Sequence, residues 1–185
     1  MSSSAALMTV EESREIAGLN PGERYELHHG ELVRMTVPKL DHQIQQKRIA
    51  ALLEARTLAY GPVFVEIGFR ATPEYDARRA AVALISHRRI QEARSKNEFF
   101  GAPDLVIEIL SPSNRAAEMD DKESLCLRNG CRSFWTLNPA RRSAKTMLAD
   151  GHVRRYHSGE AIDLAPFGSG SIAVDDLFAT DPVLS

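Results

Sequence analysis

Hydrophobic residues recur along the chain with two different spacings, and these spacings predict both strands and helices. Over residues 63–70 apolar side chains alternate with other residues, which is typical of a strand with one mixed face. Residues 81–86 and 104–110 are short apolar runs of the kind that form buried strands. Over residues 41–60 the apolar positions follow a helical spacing, with Gln, Lys and Arg between them, which predicts an amphipathic helix. The predicted class is therefore α/β with a mixed sheet.

Capping signals predict the ends of two further helices. Thr9, followed three residues later by Glu12, forms a capping-box pattern that predicts a helix over residues 10–17. A second helix is predicted within residues 114–130, because the segment has helical propensity and closes on Asn129-Gly130, a common helix stop.

Turn signals predict the remaining connections. His29-Gly30 and Asp150-Gly151 each separate two strand-like runs, as in a β-hairpin. Residues 72–79, which are rich in charge and contain Pro73, are predicted to form a turn. The other predicted elements are a helix or helical turn over residues 87–96, a strand over 131–139, and a tail over 168–178 with a short strand and a final helical turn.

Length and composition limit the organisation of the chain. With 185 residues, of which 43% are hydrophobic, we expect one domain over residues 1–185, with residues 1–8 disordered. The formal net charge of −2 argues against a bulk electrostatic grip on nucleic acid or membrane. The first residues lack the basic start and apolar stretch of a signal peptide, and nothing downstream resembles a membrane span, so we expect a cytoplasmic location. Cys126 and Cys131 are expected to be reduced thiols in or near the core.

Glu108 is the most unusual residue in the sequence, because it lies in the middle of the apolar run "LVIEIL". A buried carboxylate is costly unless it is paired, binds a metal, or lies at an open end of a sheet. Asp104 lies four residues earlier, about 13 Å away along a strand, so the two acids cannot share one metal ion. If Glu108 is a metal ligand, its partner acid should come from a neighbouring strand. The alternative is an ion pair with a Lys or Arg of the following helix.

Lys122 is a candidate for that pairing. It lies one to two turns into the helix that follows the strand, where a lysine can fold back towards Glu108 and either neutralise it or orient an attacking water. The alternative is that Lys122, among acidic neighbours, belongs to a solvated helix face. The adjacent residues His28 and His29 would point to opposite sides of a strand, so they are not expected to clamp a metal.

Several segments, taken in order, resemble the Uma-two family of restriction endonucleases over nearly the whole chain. They are "ERYELHHGELVRM", "HQIQQKRIAALLEA", "VFVEIGFRATPE", "GAPDLVIEILSPSNR" and "RNGCRSFWTLNPARRS", of which the block "PDLVIEILSPS" is the most specific. The family belongs to the PD-(D/E)XK nuclease superfamily. The resemblance implies a restriction-endonuclease-like mixed β-sheet flanked by α-helices, with additional β-hairpins, and Mg²⁺-dependent hydrolysis of phosphodiesters with DNA as the partner.

The resemblance also implies roles for individual residues. Glu108 corresponds to the metal-binding glutamate of the strand, and Lys122 to the lysine that this family carries on the following helix, so Glu108, Lys122 and Glu26 are the predicted catalytic residues. Glu26 corresponds to an acidic position of the family's first hairpin. The metal is expected to polarise the phosphate and to lower the pKa of its bound water, while the lysine supports the developing charge.

Two departures from the family pattern affect the predicted metal site. Ala80-Ala81 stand where the family has Pro-Asp, so the metal-binding aspartate is replaced by Ala81, and His29 stands at another Asp position. An alanine side chain offers no oxygen to Mg²⁺. Glu66 and Asp76 are the acids that we consider as replacements, although spacing alone supports neither.

Three functions follow as alternatives. The first is a metal-dependent DNA endonuclease, and the second is a catalytically impaired nuclease fold that binds nucleic acid or another protein. The third is a chain that binds no nucleic acid. Lys39, Arg70 and Arg115 are predicted contacts to the DNA backbone, because they lie near loops that would border the strand ends. His42 matches a recurrent family position without an assigned role, and homodimerisation would be a natural way to cut two strands.

Overall fold

The computed structural model describes residues 7–96, 99–111 and 116–179. The helices within these residues are α1 Val10–Leu19, α2 Leu40–Thr57, α3 His87–Lys96, α4 Ala116–Arg128 and α5 Val174–Leu177. The strands are β1 Arg24–His28, β2 Glu31–Met35, β3 Val63–Thr72, β4 Asp76–Leu84, β5 Leu105–Ile109, β6 Ser133–Asn138, β7 Ser143–Leu148, β8 Val153–Tyr156, β9 Ala161–Asp163 and β10 Ser171–Ala173. A 3₁₀ turn, Pro139–Arg141, joins β6 to β7.

The local signals at the start of the chain form the predicted structures. Thr9 caps α1, since its Oγ1 accepts the Glu12 N–H at 3.3 Å while Glu12 Oε2 accepts the Thr9 N–H at 2.7 Å. The hairpin of β1 and β2 turns at His29 and Gly30, which have φ angles of 50° and 81°. Positive φ at both positions is what a tight two-residue hairpin turn requires. The predicted capping box and hairpin are therefore confirmed.

Strands β1 to β8 form one mixed sheet, with the order β2-β1-β4-β5-β6-β7-β8 and with β3 paired to β4. β5 and β6 are parallel and α4 connects them, whereas the other pairings are antiparallel. β9 and β10 form a separate two-stranded sheet, of which β9 was not predicted. The predicted α/β class with a mixed sheet, flanking helices and additional hairpins is confirmed.

The segment predicted as a turn, residues 72–79, contains a turn at residues 73–75, but the turn is shorter than predicted because β4 takes over from Asp76. β4 begins at Asp76 and pairs with β3 along its whole length. Two charged residues of this segment are buried, with Asp76 3% exposed and Arg78 2% exposed, and they form an ion pair at 3.1 Å. Local sequence does not reveal that pairing, since Arg78 also pairs at 2.9 Å with Asp121 of the distant helix α4.

The sheet is buried on two sides, and β5 contributes to both. One hydrophobic cluster contains Ile49 and Leu53 of α2 together with Leu105, Ile107 and Ile109 of β5. The other contains residues of α4 together with Val106 of β5. Because side chains alternate along a strand, Glu108 lies on the same side as Val106 and therefore faces α4.

The two cysteines are free and buried, as expected for core thiols. Burial raises the pKa of Cys131 to about 12, so its thiol stays protonated at neutral pH. Residues 1–6 of the segment predicted to be disordered lie outside the described residues, while Met8 donates its N–H to the Gly30 carbonyl at 2.9 Å. None of the helices that the structure describes is long and apolar enough to cross a bilayer.

Candidate functional site

Strands β1 and β5 pair with different parts of the same edge of β4 and leave a gap between them. β3 occupies the first edge from Asp76 to Leu84. On the second edge, β5 pairs with β4 at Val82, Ala83 and Leu84, and β1 pairs with it at Ala77. The backbone between Ala77 and Val82 therefore faces no strand on this second edge, and its polar groups need other partners.

Side chains of the three predicted catalytic residues supply those partners. Glu26 Oε1 accepts the Arg79 N–H at 2.9 Å, and Glu108 Oε1 accepts the Ala81 N–H at 3.3 Å. The Lys122 ammonium donates to the Arg79 carbonyl and lies 2.8 Å from Glu108 Oε1. The structure thus brings Glu26 of β1, Glu108 of β5 and Lys122 of α4 together in the opening between β1 and β5.

All three ionisable side chains of this cluster are buried. Glu26 is 5% exposed, Glu108 8% and Lys122 9%. Lys122 faces the core because Met119 and Cys126, three and four residues away along α4, are buried on the same face. The predicted alternative of an ion pair between Glu108 and the following helix is confirmed, and the interpretation of Lys122 as a solvated residue was wrong.

Burial and mutual charge separate the pKa values of the two carboxylates. Burial raises the pKa of Glu108, with a further contribution from Glu26, against the opposing effect of Lys122. Burial also acts to raise the pKa of Glu26, but Lys122 and His28 outweigh it, so this pKa is lowered. Burial acts to lower the pKa of Lys122, but the charges of Glu108 and Glu26 outweigh it and raise the pKa. Lys122 is therefore a permanent cation at physiological pH.

Position 81 adjoins Glu108 and lacks a carboxylate. The pairing of β4 with β5 ends at Val82 and Ile107, and the next residues in this register are Ala81 and Glu108. Ala81 offers Glu108 only its backbone N–H. Mg²⁺ demands near-octahedral oxygen coordination, and the described residues contain no group of three or more His, Cys, Asp or Glu side chains arranged to hold a metal. The residues present do not fit a complete Mg²⁺ site.

The two acids considered as replacements for the missing aspartate have other partners. Glu66 has a φ angle of 54°, and its carboxylate forms an ion pair with Arg24. The Asp76 carboxylate contacts the Arg78 guanidinium at 3.1 Å. Each carboxylate is thus neutralised by an arginine, and the acid that acts electrostatically on Glu108 is Glu26 instead.

Of the predicted DNA contacts, the two that the structure describes, Lys39 and Arg70, do not join the cluster. Lys39 is exposed at the N-terminal cap of α2. Arg70 is 9% exposed, and its guanidinium donates to the Pro73 carbonyl at 2.6 Å and pairs with Glu11 at 2.8 Å. Arg115 lies outside the described residues. A role in DNA binding stays a prediction for all three.

His28 is a member of the site that was not recognised in the sequence. Its Nε2 lies 2.7 Å from Glu26 Oε2, so Glu26 is held at one oxygen by the imidazole and at the other by the Arg79 N–H. The available signal was the spacing of two residues, which places Glu26 and His28 on the same side of a strand. His42, which had no assigned role, is half-buried near Glu66, and burial lowers its pKa.

Comparisons with known proteins agree with this architecture. The chain matches a family described as "Uma2: Putative restriction endonuclease" over residues 10–171. Its fold is similar to that of a crystal structure described as "a putative nuclease belonging to DUF820" from Anabaena variabilis ATCC 29413, with a TM-score of 0.76. The two share 19% sequence identity, and the match covers 92% of this chain and 97% of that chain. No curated protein matches. Because the family match spans most of the chain and the nuclease-type fold agrees with it, this protein belongs to the Uma2 family.

Proposed function

We propose that the protein binds DNA through its nuclease fold and that its phosphodiester-hydrolysing centre, formed by Glu108, Lys122 and Glu26, is impaired by alanine at position 81. The observation that carries the proposal is the contact between Glu108 and position 81. A backbone N–H stands there at 3.3 Å, where the family pattern has a carboxylate.

The cluster retains part of the chemistry that phosphodiester hydrolysis needs. A fixed, buried ammonium such as that of Lys122 stabilises negative charge that develops on a phosphate, since a low dielectric strengthens the interaction. The carboxylate of Glu108, which lies beside the Lys122 ammonium, is also retained. The second strand carboxylate is absent, so the centre would hold Mg²⁺ weakly, and we expect slow cleavage.

A residually active metal-dependent endonuclease is the second candidate function. Glu26 favours it, because this second buried carboxylate acts on both Lys122 and Glu108. In this case Glu26 would take over part of the role of the missing aspartate. The unmodified protein would then cut DNA about as fast as a variant with aspartate restored by Ala81→Asp.

Cleavage of supercoiled plasmid in Mg²⁺ or Mn²⁺ distinguishes the two candidates. The proteins to compare are the unmodified chain, Ala81→Asp, the isosteric control Ala81→Asn, and Glu108→Gln both alone and combined with Ala81→Asp. We expect weak nicking by the unmodified chain, faster nicking by Ala81→Asp, no gain from Ala81→Asn, and loss of the gain in the combined variant. If the unmodified chain and Ala81→Asp nick equally fast and Glu108→Gln abolishes both activities, the centre is not impaired and the second candidate is correct.

DNA retardation tests the binding part of the proposal separately. Contacts with phosphates release counterions, so the affinity should fall steeply as salt rises. Lys39→Ala, which changes an exposed side chain, should weaken binding and reduce the salt dependence by about one phosphate contact. Failure to retard any DNA at low salt would support the alternative that the chain binds no nucleic acid.

A further inference from the structure

We infer that the ammonium of Lys122 is the permanent counter-ion of Glu108 and Glu26 and fills the role that a divalent cation would have between these two carboxylates. In consequence, the protein folds and stays folded without a divalent ion at the opening between β1 and β5. This inference concerns the state of the protein without DNA and does not rest on the proposed function.

The surroundings of the Lys122 ammonium are those of a bound cation. An ammonium has three N–H donors. One is directed at a carboxylate oxygen of Glu108, 2.8 Å away, and another at the main-chain carbonyl of Arg79. The Glu26 carboxylate adds a second negative charge that raises the Lys122 pKa. Oxygen atoms from β5 and β4 therefore surround a charge that is already present in the chain.

The carboxylates of the cluster are already engaged. Glu26 accepts from the Arg79 N–H through one oxygen and contacts His28 through the other. Glu108 Oε1 contacts both Lys122 and the Ala81 N–H. A divalent ion would have to break several of these contacts to reach Glu26 and Glu108. Breaking them costs free energy, and this cost would weaken the affinity for the ion.

The number of charges explains why alanine at position 81 suits this arrangement. The cluster contains the two carboxylates of Glu26 and Glu108 and the single cation of Lys122. A third carboxylate at position 81 would add a negative charge beside Glu108 that one ammonium cannot balance, and a divalent ion would then be attracted. With Ala81 the cluster has one uncompensated negative charge instead of two, so it attracts a divalent ion less strongly.

Thermal unfolding without DNA, with and without divalent ions at matched ionic strength, tests the inference. The melting temperature of the unmodified protein should not respond to about 10 mM Mg²⁺ or Mn²⁺, a concentration that would stabilise any site with a millimolar Kd. Lys122→Met should melt at a lower temperature and recover by about 3–6 °C when the ion is added. Ala81→Asp should also respond. The matched control is Lys145→Met, which breaks the separate pair of Lys145 with Glu123 at 2.9 Å and should show no response.

The outcomes are decisive even if one variant does not fold. A rise in the melting temperature of the unmodified protein with Mg²⁺ or Mn²⁺ would overturn the inference, and so would folded Lys122→Met and Ala81→Asp variants that both fail to respond. If Lys122→Met does not fold, the unmodified protein and Ala81→Asp decide: a response of Ala81→Asp alone supports the inference, and any other result overturns it. These melting temperatures are measured without DNA, so they do not depend on whether the protein cleaves or binds DNA. A failure of the proposed function would appear in the nicking and retardation experiments instead.

Discussion

The ion pair between Glu108 and Lys122 should be strongly coupled, and a double-mutant cycle measures the coupling. The three variants are Lys122→Met, Glu108→Gln and the combination of both. The Nζ and Oε1 atoms are 2.8 Å apart, and each of the two side chains is only 11% exposed. At an effective dielectric constant of about 20, this distance corresponds to an attraction of about 6 kcal/mol.

Desolvation of the two ions offsets most of that attraction, so the pair as a whole is expected to contribute little to stability compared with an apolar replacement. Removing one partner alone is different, because it leaves a buried charge without its counter-ion. We expect each single substitution to lower the free energy of unfolding by about 3–5 kcal/mol. For a chain of this size, that corresponds to a fall of about 6–20 °C in melting temperature.

The double variant should be less destabilised than the sum of the two single variants by about 3 kcal/mol, because it buries neither charge of the pair. Thermal or urea unfolding followed by circular dichroism provides the three free-energy differences. If the effects of the single substitutions simply add, the two groups are not coupled, and the placement of Lys122 against Glu108 is wrong.

Three further predictions concern backbone space, a second ion pair and acid stability. Gly61→Ala should lower the free energy of unfolding by at least about 2 kcal/mol, since the added Cβ would lie 1.9 Å from a backbone oxygen. Gly18→Ala in α1 should instead raise it by about 0.5–1 kcal/mol, because the space around Gly18 is open. Denaturant unfolding of the two variants measures both changes. Arg78→Met should cost about 3 kcal/mol in the same measurement, because two carboxylates lose their buried partner; a change below about 1 kcal/mol would contradict the pairing. The lowered pKa of Glu26 means that its carboxylate stabilises the fold above pH 4.5 and loses this effect as the pH falls. Glu26→Gln should therefore flatten the loss of stability in acid, and parallel pH profiles for the two proteins would contradict this.

Local patterns in the sequence were sufficient for much of the fold. The capping box at Thr9 fixes the start of α1, and His29-Gly30 fixes the first hairpin, because both depend on residues within a few positions of each other. The apolar run around Glu108 likewise becomes a strand that is buried on both faces. Such features need no knowledge of distant partners.

Features that depend on distant residues were not accessible in the same way. The sequence predicts a turn that extends into the start of β4, because Asp76 and Arg78 look solvated, whereas Arg78 pairs with Asp121, 43 positions later. The environment of Lys122 depends on the acid of a neighbouring strand in the same manner. The sequence suggested that Glu108 and Lys122 meet, but it did not indicate that they complete the backbone hydrogen bonds of a strand edge.

That edge suggests an order in which such a centre loses its function during evolution. Glu26, Glu108 and Lys122 hold β4 through their side chains, so a mutation that removes any of them damages the fold together with the chemistry. Position 81 contributes to the fold through its N–H, which every residue except proline possesses. A side chain at this position can therefore change while the fold persists. Under relaxed selection for cleavage, position 81 is where we expect a lineage to drift first, and its remaining acids and lysine would be retained for stability.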